Sequence, residues 1–580
     1  MYIRKITRKN KLGPPVSYIQ LAHNFRDPDS GRPRAKVLHN FGREENLDIA
    51  ALKRLVSSIS RYLDPEDALR MQAAASGEAT ALTFVDSRPM GSAALLHGLW
   101  QRLGIHKALG KLAAQRGFRT DPVQAIFAMV ANRALAPASK HAIPEWLEHD
   151  VWLPGVGPLN DDQLYRAMDF LIDAEAVVQR EVFLATADLL NLQVDLLLYD
   201  TTSSYFEMEG DDRDLLDRQA AWDAFDHGEG PTPLTPRPQV VNDPPLRRPG
   251  HSKDHRPDRA QVVIGMAVTR EGIPVRCWVW PGNTHDATTI KTVKDDLRGW
   301  RLNRVVWAVD RGFMSDDNLA ELQRGGAHYI AGEKMRAGKK GVEEALSRAG
   351  RFKAVADNLE VKEVVVGEGE RRKRYVVVRN PAQLARDRAE RERLLKRLKE
   401  ELASLPEGEE EHTKAVCRLV SHPTLGRYLR LSPKGRPAIH KAKVRAEERL
   451  DGKYLLLTSD DTLSTEDVAL GYKQLFEIER AWRSMKSELD IRPMYHRLDQ
   501  RIRAHVLVCW LALLLVRVIE VQTGETWASV RRNLGRVHRG EFQTPAGRVV
   551  QRTELRQEHL ALFRACGVAP PPKFEAIEPV

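Results

Sequence analysis

Two stretches constrain the fold more than any others: VDLLLYD at 194–200 and RVVWAVD at 304–310. Each is a short, mostly apolar run closed by an acid. A run with no polar alternation is a strand covered on both faces, as in a parallel or mixed sheet. A chain with two of them must build an α/β layer. Central strands of such sheets end at the crevice where chemistry is usually placed, so Asp200 and Asp310 are candidate catalytic residues. An acid after a strand also serves as a loop start or a helix cap, and neither residue is decided by its strand alone. HYIAGEK at 328–334 and KYLLLTSD at 453–460 read as further strands. QVVIGMAVTREGIPVRCWVWPG places two alternating runs around REG and predicts a hairpin.

At 580 residues the chain is too long for one core. Residues 1–75 read as a small β-rich domain, with YIQLAHNFRD and RAKVLHNFG flanking the turn signal DSGRP. A helix is expected near 48–62, then a linker rich in Ala, Gly and Ser at 72–79. Residues 76–190 show apolar spacing of three to four and read as a helical domain, either a scaffold or a surface for DNA. The α/β layer occupies 191–334 and resumes at 451–535. A long loop is expected at 209–260. Between the two halves, 335–450 reads as a mostly β insertion with its own small sheet and a charged helical arm at 382–405. That arm has an apolar edge at Leu395, Leu398, Leu402 and Leu405. Its charge is either a solvated face or a track for a DNA backbone. The greasy run around 502–520 predicts a buried helix covering the sheet, and 536–580 reads as a C-terminal tail.

Formal net charge is +11 and the pI about 9.3, a balance that suits a polyanionic partner without setting a fold. Cys277, Cys417, Cys509 and Cys566 lack both metal-ligand spacing and a disulfide framework, which points to a reducing cytoplasm. The start, MYIRKITRKNKLG, has no apolar core and does not read as a signal peptide.

In YKQLFEIERAWRSMKSELDIRP, at 472–493, Tyr472, Glu479 and Lys486 recur every seven residues and line up on one helix. STED at 464–467 supplies the cap. Glu479 completes a set of three acids with Asp200 and Asp310. Three carboxylates and few other donors suit two Mg²⁺ or Mn²⁺ ions. Such a pair activates a water or a 3′-hydroxyl against a phosphodiester.

Residues 472–486 resemble the Tyr-x2-Arg-x3-Glu-x6-Lys signature of bacterial insertion-sequence DDE transposases, in the family numbered four. Tyr472, Glu479 and Lys486 match, and Leu475 stands where that signature has Arg. YDTTSSYFE, GHSKDHRPDRAQVVIGMAVTREGIPV, WPGNTHDATT and AVDRGFMSDDNL resemble further motifs of a longer-chain, hairpin-forming branch, in family order over roughly 16–520. The resemblance implies an α/β fold with an RNase-H-like catalytic core interrupted by a mostly β insertion. It also implies metal-dependent cleavage at terminal inverted repeats and transfer of the 3′ ends into target DNA through a hairpin. Asp200, Asp310 and Glu479 take the catalytic and metal-binding roles. Tyr472 and Lys486 take phosphates, with Lys473 or Arg483 replacing the missing Arg. In GHSKDHR, Lys253 and Arg256 are expected either to contact phosphates or to order the active-site loop, and zinc fits by spacing alone. Trp280 is the candidate platform for a displaced base. Double-stranded DNA and a second copy of the chain are the expected partners, with no membrane, in a bacterial cytoplasm. A non-joining Mg²⁺-dependent nuclease and an inactive DNA-binding relic remain the alternatives.

Overall fold

The computed structural model describes residues 1–9, 15–26, 32–60, 83–118, 121–192, 195–208, 210–237, 245–300, 305–336, 338–405, 409–433, 435–544 and 547–579. The linker expected at 72–79 lies outside them. The chain divides into two compact units, Met1–Arg88 with His538–Glu554 and Pro572–Val580, and Pro89–Val537 with Leu555–Pro571.

In the first unit β1 (Tyr2–Arg8), β2 (Val16–Arg26) and β3 (Pro33–Arg43) form an antiparallel meander followed by the Ile49–Ser60 helix. A second sheet joins β4 (Thr83–Pro89), β16 (His538–Thr544), β17 (Gly547–Arg552) and β18 (Phe574–Pro579) in the order β18-β17-β16-β4. The expected tail at 536–580 is therefore folded. Its three strands pair antiparallel with one another, and β4, some 450 residues earlier in the chain, adds to β16 as the fourth.

The second unit is built on a nine-stranded sheet. Its strands are β5 (Leu196–Tyr205), β6 (Gln261–Thr269), β7 (Pro274–Pro281), β8 (Val306–Val309), β9 (His328–Glu333), β10 (Lys353–Ala356), β11 (Leu359–Val366), β12 (Lys373–Arg379) and β15 (Lys453–Thr458). The order is β10-β11-β12-β15-β9-β8-β5-β6-β7. Only β5, β8 and β9 run parallel to one another. The expected hairpin is β6–β7.

Three expectations are corrected here. The strands of the 335–450 segment do not form a sheet of their own. β12 pairs with β15 along its length, from Arg374–Thr458 to Arg379–Lys453, so these strands extend the main sheet. An edge strand with unpaired N–H and C=O groups is a template for the next strand, and β15 offered one. Only β13 (Leu429–Leu431) and β14 (Pro437–Ile439) pair apart from it. The segment is also more helical than expected, holding Pro381–Ala403, Glu409–Ser421 and Lys441–Glu448. The apolar edge of Pro381–Ala403 packs Leu398 against Leu419, Leu425 and Tyr428, while Arg388–Glu392 and Arg397–Glu401 pairs lie along the solvated side. Finally, the expected loop at 209–260 opens with a helix, Asp212–Asp226, anchored by a buried Asp212–Arg247 ion pair at 2.8 Å.

The helices of 91–190 share one core with a face of the sheet rather than forming a separate bundle. At the centre of that core lies the Asp499–Thr523 helix, buried without a break from Ala504 to Ile519. Among the described residues it is the one helix long and apolar enough to cross a membrane, and it is enclosed by the fold.

Candidate active site

Alternation along the central strands places the acids. Leu196 and Leu198 of β5, with Val306 and Ala308 of β8, face the core that holds the long apolar helix. Leu197, Tyr199, Trp307 and Val309 face the opposite core. Side chains alternate strictly, so Asp200 and Asp310 both belong to the first face. The strands pair in parallel through Tyr199–Val309, which makes Asp200 and Asp310 the next positions in register on neighbouring strands, about 4.8 Å apart at the backbone. Asp310 follows β8 directly. Asp200, by contrast, is not at a strand end as expected: β5 runs on to Tyr205 against β6. It marks the point where the parallel partner stops and the sheet opens.

The helices over that face carry the rest. Val468, Ala469, Ile478, Ala481, Trp482 and Met485 bury their side chains in the same core. The single helix expected over 472–486 is two helices, Thr465–Lys473 and Leu475–Ser487, meeting at Gln474. Tyr472 thus lies on the first helix, and Glu479 and Lys486 on the second. At one end the Tyr472 hydroxyl donates to Asp310 Oδ1 at 3.1 Å. Its ring lies close over β9, where only Gly332 leaves room, since a methyl there collides with the hydroxyl. Burial, with the charge of Asp310, pushes the Tyr472 phenol up. At the other end Lys486 Nζ donates to Asp254 Oδ1 at 2.7 Å. Glu479 lies between, exposed, with no hydrogen-bond or ion-pair partner among the described residues. Its neighbour Glu477 is committed elsewhere, accepting from Arg517 Nη2 at 2.9 Å.

Around Asp200 the loop at 251–256 supplies positive charge. Lys253 Nζ donates to the Thr201 carbonyl at 2.7 Å, to Thr201 Oγ1 at 2.8 Å and to Asp286 Oδ2 at 3.0 Å. Thr201 Oγ1 in turn donates to Asp286 Oδ1 at 2.6 Å. Burial pushes the Asp200 carboxyl up to about 6. Lys253 and the Thr201 backbone N–H pull against it, and the like charges of Asp286 and Asp310 add to it. Asp200 is thus short of positive charge.

Among the described residues no three His, Cys, Asp or Glu side chains are gathered closely enough to hold a metal ion as they stand. Two of the three expected acids are brought together, and Glu479 waits on the flank of its helix. Hard carboxylate oxygens such as these, with Asp200 raised chiefly by burial, still fit a divalent cation.

Several expected contacts are placed differently. Lys486 is 13% exposed and spends its ammonium on Asp254, which is 2% exposed. It is therefore not free for a phosphate. Arg256 is paired with Glu207 at 3.1 Å and Asp258 at 3.0 Å and lies over the Tyr205 ring, so it orders the loop. Trp280 stacks on Trp278, with centroids 6.3 Å apart, and its edge covers Gly265, which is a packing role. Leu475 packs against the core, so the position of the signature's Arg faces inward. Lys473 and Arg483 remain exposed. The sequence reading missed Asp254, Thr201 and Arg492. For Asp254 the available signal was the density of polar residues in GHSKDHR, which names no partner, and Thr201 and Arg492 carried none.

The turn after the Glu479 helix is held by a buried basic cluster. Arg133 Nη1 donates to the Asp490 carbonyl at 3.0 Å. His505 lies 3.2 Å from the Ile491 carbonyl through Nε2 and 3.1 Å from Lys140 Nζ through Nδ1. That geometry needs the neutral ring, with Nε2 donating and Nδ1 accepting. Burial first, then Lys140 and Arg133, holds His505 well below the usual imidazole range and His496 at about 3. The unfolded chain takes up these protons below about 6.5 and the folded chain does not. Stability supplied by the cluster is therefore complete above that pH and is lost as pH falls. Lys140, pushed down to about 7 chiefly by burial, adds a further rise in stability above pH 7. Melting temperature measured by scanning fluorimetry should climb from pH 5.5 to 8.5, and His505→Gln should flatten the acid arm.

Comparison with known proteins adds the following. Residues 3–70 match the family described as IS1634 family transposase, N-terminal domain, and residues 235–515 match Transposase DDE domain. The second span contains Asp310 and Glu479 and begins after Asp200. No curated protein matches. Among solved structures, the cryo-EM structure of a piggyBac transposase synaptic complex with hairpin DNA matches at 9% identity. That match covers 78% of this chain and 82% of that chain with a TM-score of 0.34.

Proposed function

We propose that this chain, a polynucleotidyl-transferase type enzyme by its transposase DDE domain, cuts DNA at terminal inverted repeats and joins the freed 3′ ends to target DNA. The observation that carries the reading is the pair Asp200 and Asp310, consecutive in register on parallel strands and facing the helices of Tyr472 and Glu479. The meander β5–β6–β7 on one side of β5, with parallel β8 and β9 on the other, is the arrangement read here as an RNase-H-like core. The spacing of Tyr472, Glu479 and Lys486 supports placement near the family numbered four.

In this reading Asp200, Asp310 and Glu479 hold two divalent cations, Mg²⁺ or Mn²⁺. When bound, such a pair supplies a nucleophilic oxygen at neutral pH and charge stabilisation for the leaving oxygen. Tyr472 orients the Asp310 carboxylate by its hydrogen bond. Lys253 offsets the negative charge of Asp286 and Asp200. Exposed Lys473 and Arg483 contact phosphates on the Glu479 side of the site. Two ends require two such sites, so the chain acts as a dimer on DNA.

The test is incubation with the element's own end sequence, with Mg²⁺ and then with excess EDTA, scoring nicks, hairpins and joined products. Precut ends should be joined to target DNA. Cutting without joining would assign a nuclease instead. Within the same assay Trp280→Ala distinguishes two roles. A slower hairpin step with normal first nicking marks a base platform, while equal loss of both marks packing against Trp278.

A further inference from the structure

The loop that carries Lys253 and Asp254 reaches both halves of the site from adjacent residues. Lys253 is stitched to β5: its backbone N–H donates to Ser203 Oγ at 2.8 Å, and its ammonium reaches the Thr201 carbonyl at 2.7 Å. Asp254 points the other way. Its Oδ1 accepts from Lys486 Nζ at 2.7 Å and pairs with Arg492, at the two ends of the turn that closes the Glu479 helix. The loop is itself braced, since Ser252 Oγ accepts from the Arg256 N–H at 3.0 Å and Gln261 Nε2 donates to the His251 carbonyl at 3.1 Å.

The cost of this arrangement argues that it is kept for a purpose. Asp254 is 2% exposed, and its Oδ2 is buried with no hydrogen-bond partner. Burial depresses the Lys486 ammonium, and Asp254 opposes that. A buried ion pair with an unsatisfied oxygen adds little stability over an apolar pair of the same shape. What it does supply is direction, because a charged hydrogen bond fixes a helix more closely than apolar contact does. Lys486 and Glu479 lie two turns apart on one flank, roughly 10 Å along the axis. Tyr472 on Asp310 fixes the line at its far end.

The geometry points to Asp254 as a positioning residue: through Lys486 and Arg492 it ties the Glu479 helix to the strand of Asp200, and so sets where Glu479 meets the aspartate pair. The inference rests on the reading of Glu479 as the third acid. It also gives Lys486 the role of a tether rather than a phosphate contact.

The test uses the full chain and Mn²⁺ as the probe, with binding followed by titration calorimetry without DNA and cleavage followed on the end sequence. Asp254→Asn should weaken Mn²⁺ binding and slow cleavage by about 10- to 100-fold, with affinity for end DNA changed less than about threefold. Lys486→Met should behave alike, and it stands in if Asp254→Asn fails to fold by circular dichroism. The Asp254→Asn/Glu479→Ala double variant should bind Mn²⁺ no more weakly than Glu479→Ala alone, because the tether acts only through that acid. Multiplied losses in the double variant would overturn the tether. So would a Lys486→Met variant that loses DNA affinity and keeps Mn²⁺ binding. If Glu479→Ala itself binds Mn²⁺ and cuts normally, the third-acid reading fails and takes the tether with it. If Glu479→Ala is inactive while Asp254→Asn is normal, only the tether fails.

Discussion

Asp310→Ala is expected to lower strand cleavage at the element's ends by on the order of 10³-fold or more, with end binding held within about threefold. The residue has two jobs, and a second variant separates them. Asp310→Asn keeps an acceptor for the Tyr472 hydroxyl, now at 3.1 Å from Oδ1, but removes the charge. If the charge is what matters, Asn should be as inactive as Ala. Tyr472→Phe removes only the hydrogen bond and should cost about fivefold, in line with roughly 1 kcal/mol for one such bond. Gel-shift and single-turnover cleavage on the same end fragment measure both quantities. Cleavage at the normal rate by Asp310→Asn would remove the residue from the catalytic set.

Arg517→Met is expected to give the largest loss of stability, about 3–5 kcal/mol, since it strands buried carboxylates. Arg517 is 3% exposed and holds Glu477 at 2.9 Å and Glu520 at 2.6 Å. It also donates to the Glu271 carbonyl at 2.9 Å, so the cluster clamps the β6–β7 turn to the long apolar helix and to the Glu479 helix. Glu520 keeps Arg480 at 3.0 Å when Arg517 is lost, whereas Glu477 has no second cation in the cluster. Arg517→Met/Glu477→Gln should therefore recover part of the loss. Urea denaturation followed by tryptophan fluorescence reports it. An Arg517→Met midpoint equal to that of the parent would show that the clamp contributes nothing.

The clamp also explains why one acid of the helix is available and its neighbour is not. The spacing of seven and the resemblance of residues 472–486 both single out Glu479. The structure gives a physical reason, because Glu477 is spent on Arg517 and Glu479 is exposed. The same distinction applies to the cations. Lys473, Arg483 and Lys486 are alike in sequence, yet Lys486 is enclosed with Asp254 while the other two face solvent.

Other features were legible from short windows. The apolar runs before Asp200 and Asp310 hold strands β5 and β8, the pattern around REG is a hairpin, and the run at 502–520 is a buried helix. The Ser464 cap begins its helix, with the side chain accepting from the Asp467 N–H. Each of these is a statement about burial or about local hydrogen bonding. Side-chain period and cap chemistry report those directly, because they depend on residues a few positions apart.

The sequence by itself thus determined the central strands β5 and β8, the β6–β7 hairpin and the buried helix at 502–520, and that Asp310 stands where a strand leaves the apolar core. The tertiary structure alone decided that β11 and β12 join the main sheet, that Asp200 and Asp310 are neighbours in register, and that Lys486 closes on a carboxylate 232 positions away. The reason is one of range. Periodicity tells a side chain whether it meets protein or water, but the partner of a buried charge is chosen by the folded chain as a whole, among many charges of the same sign and similar reach.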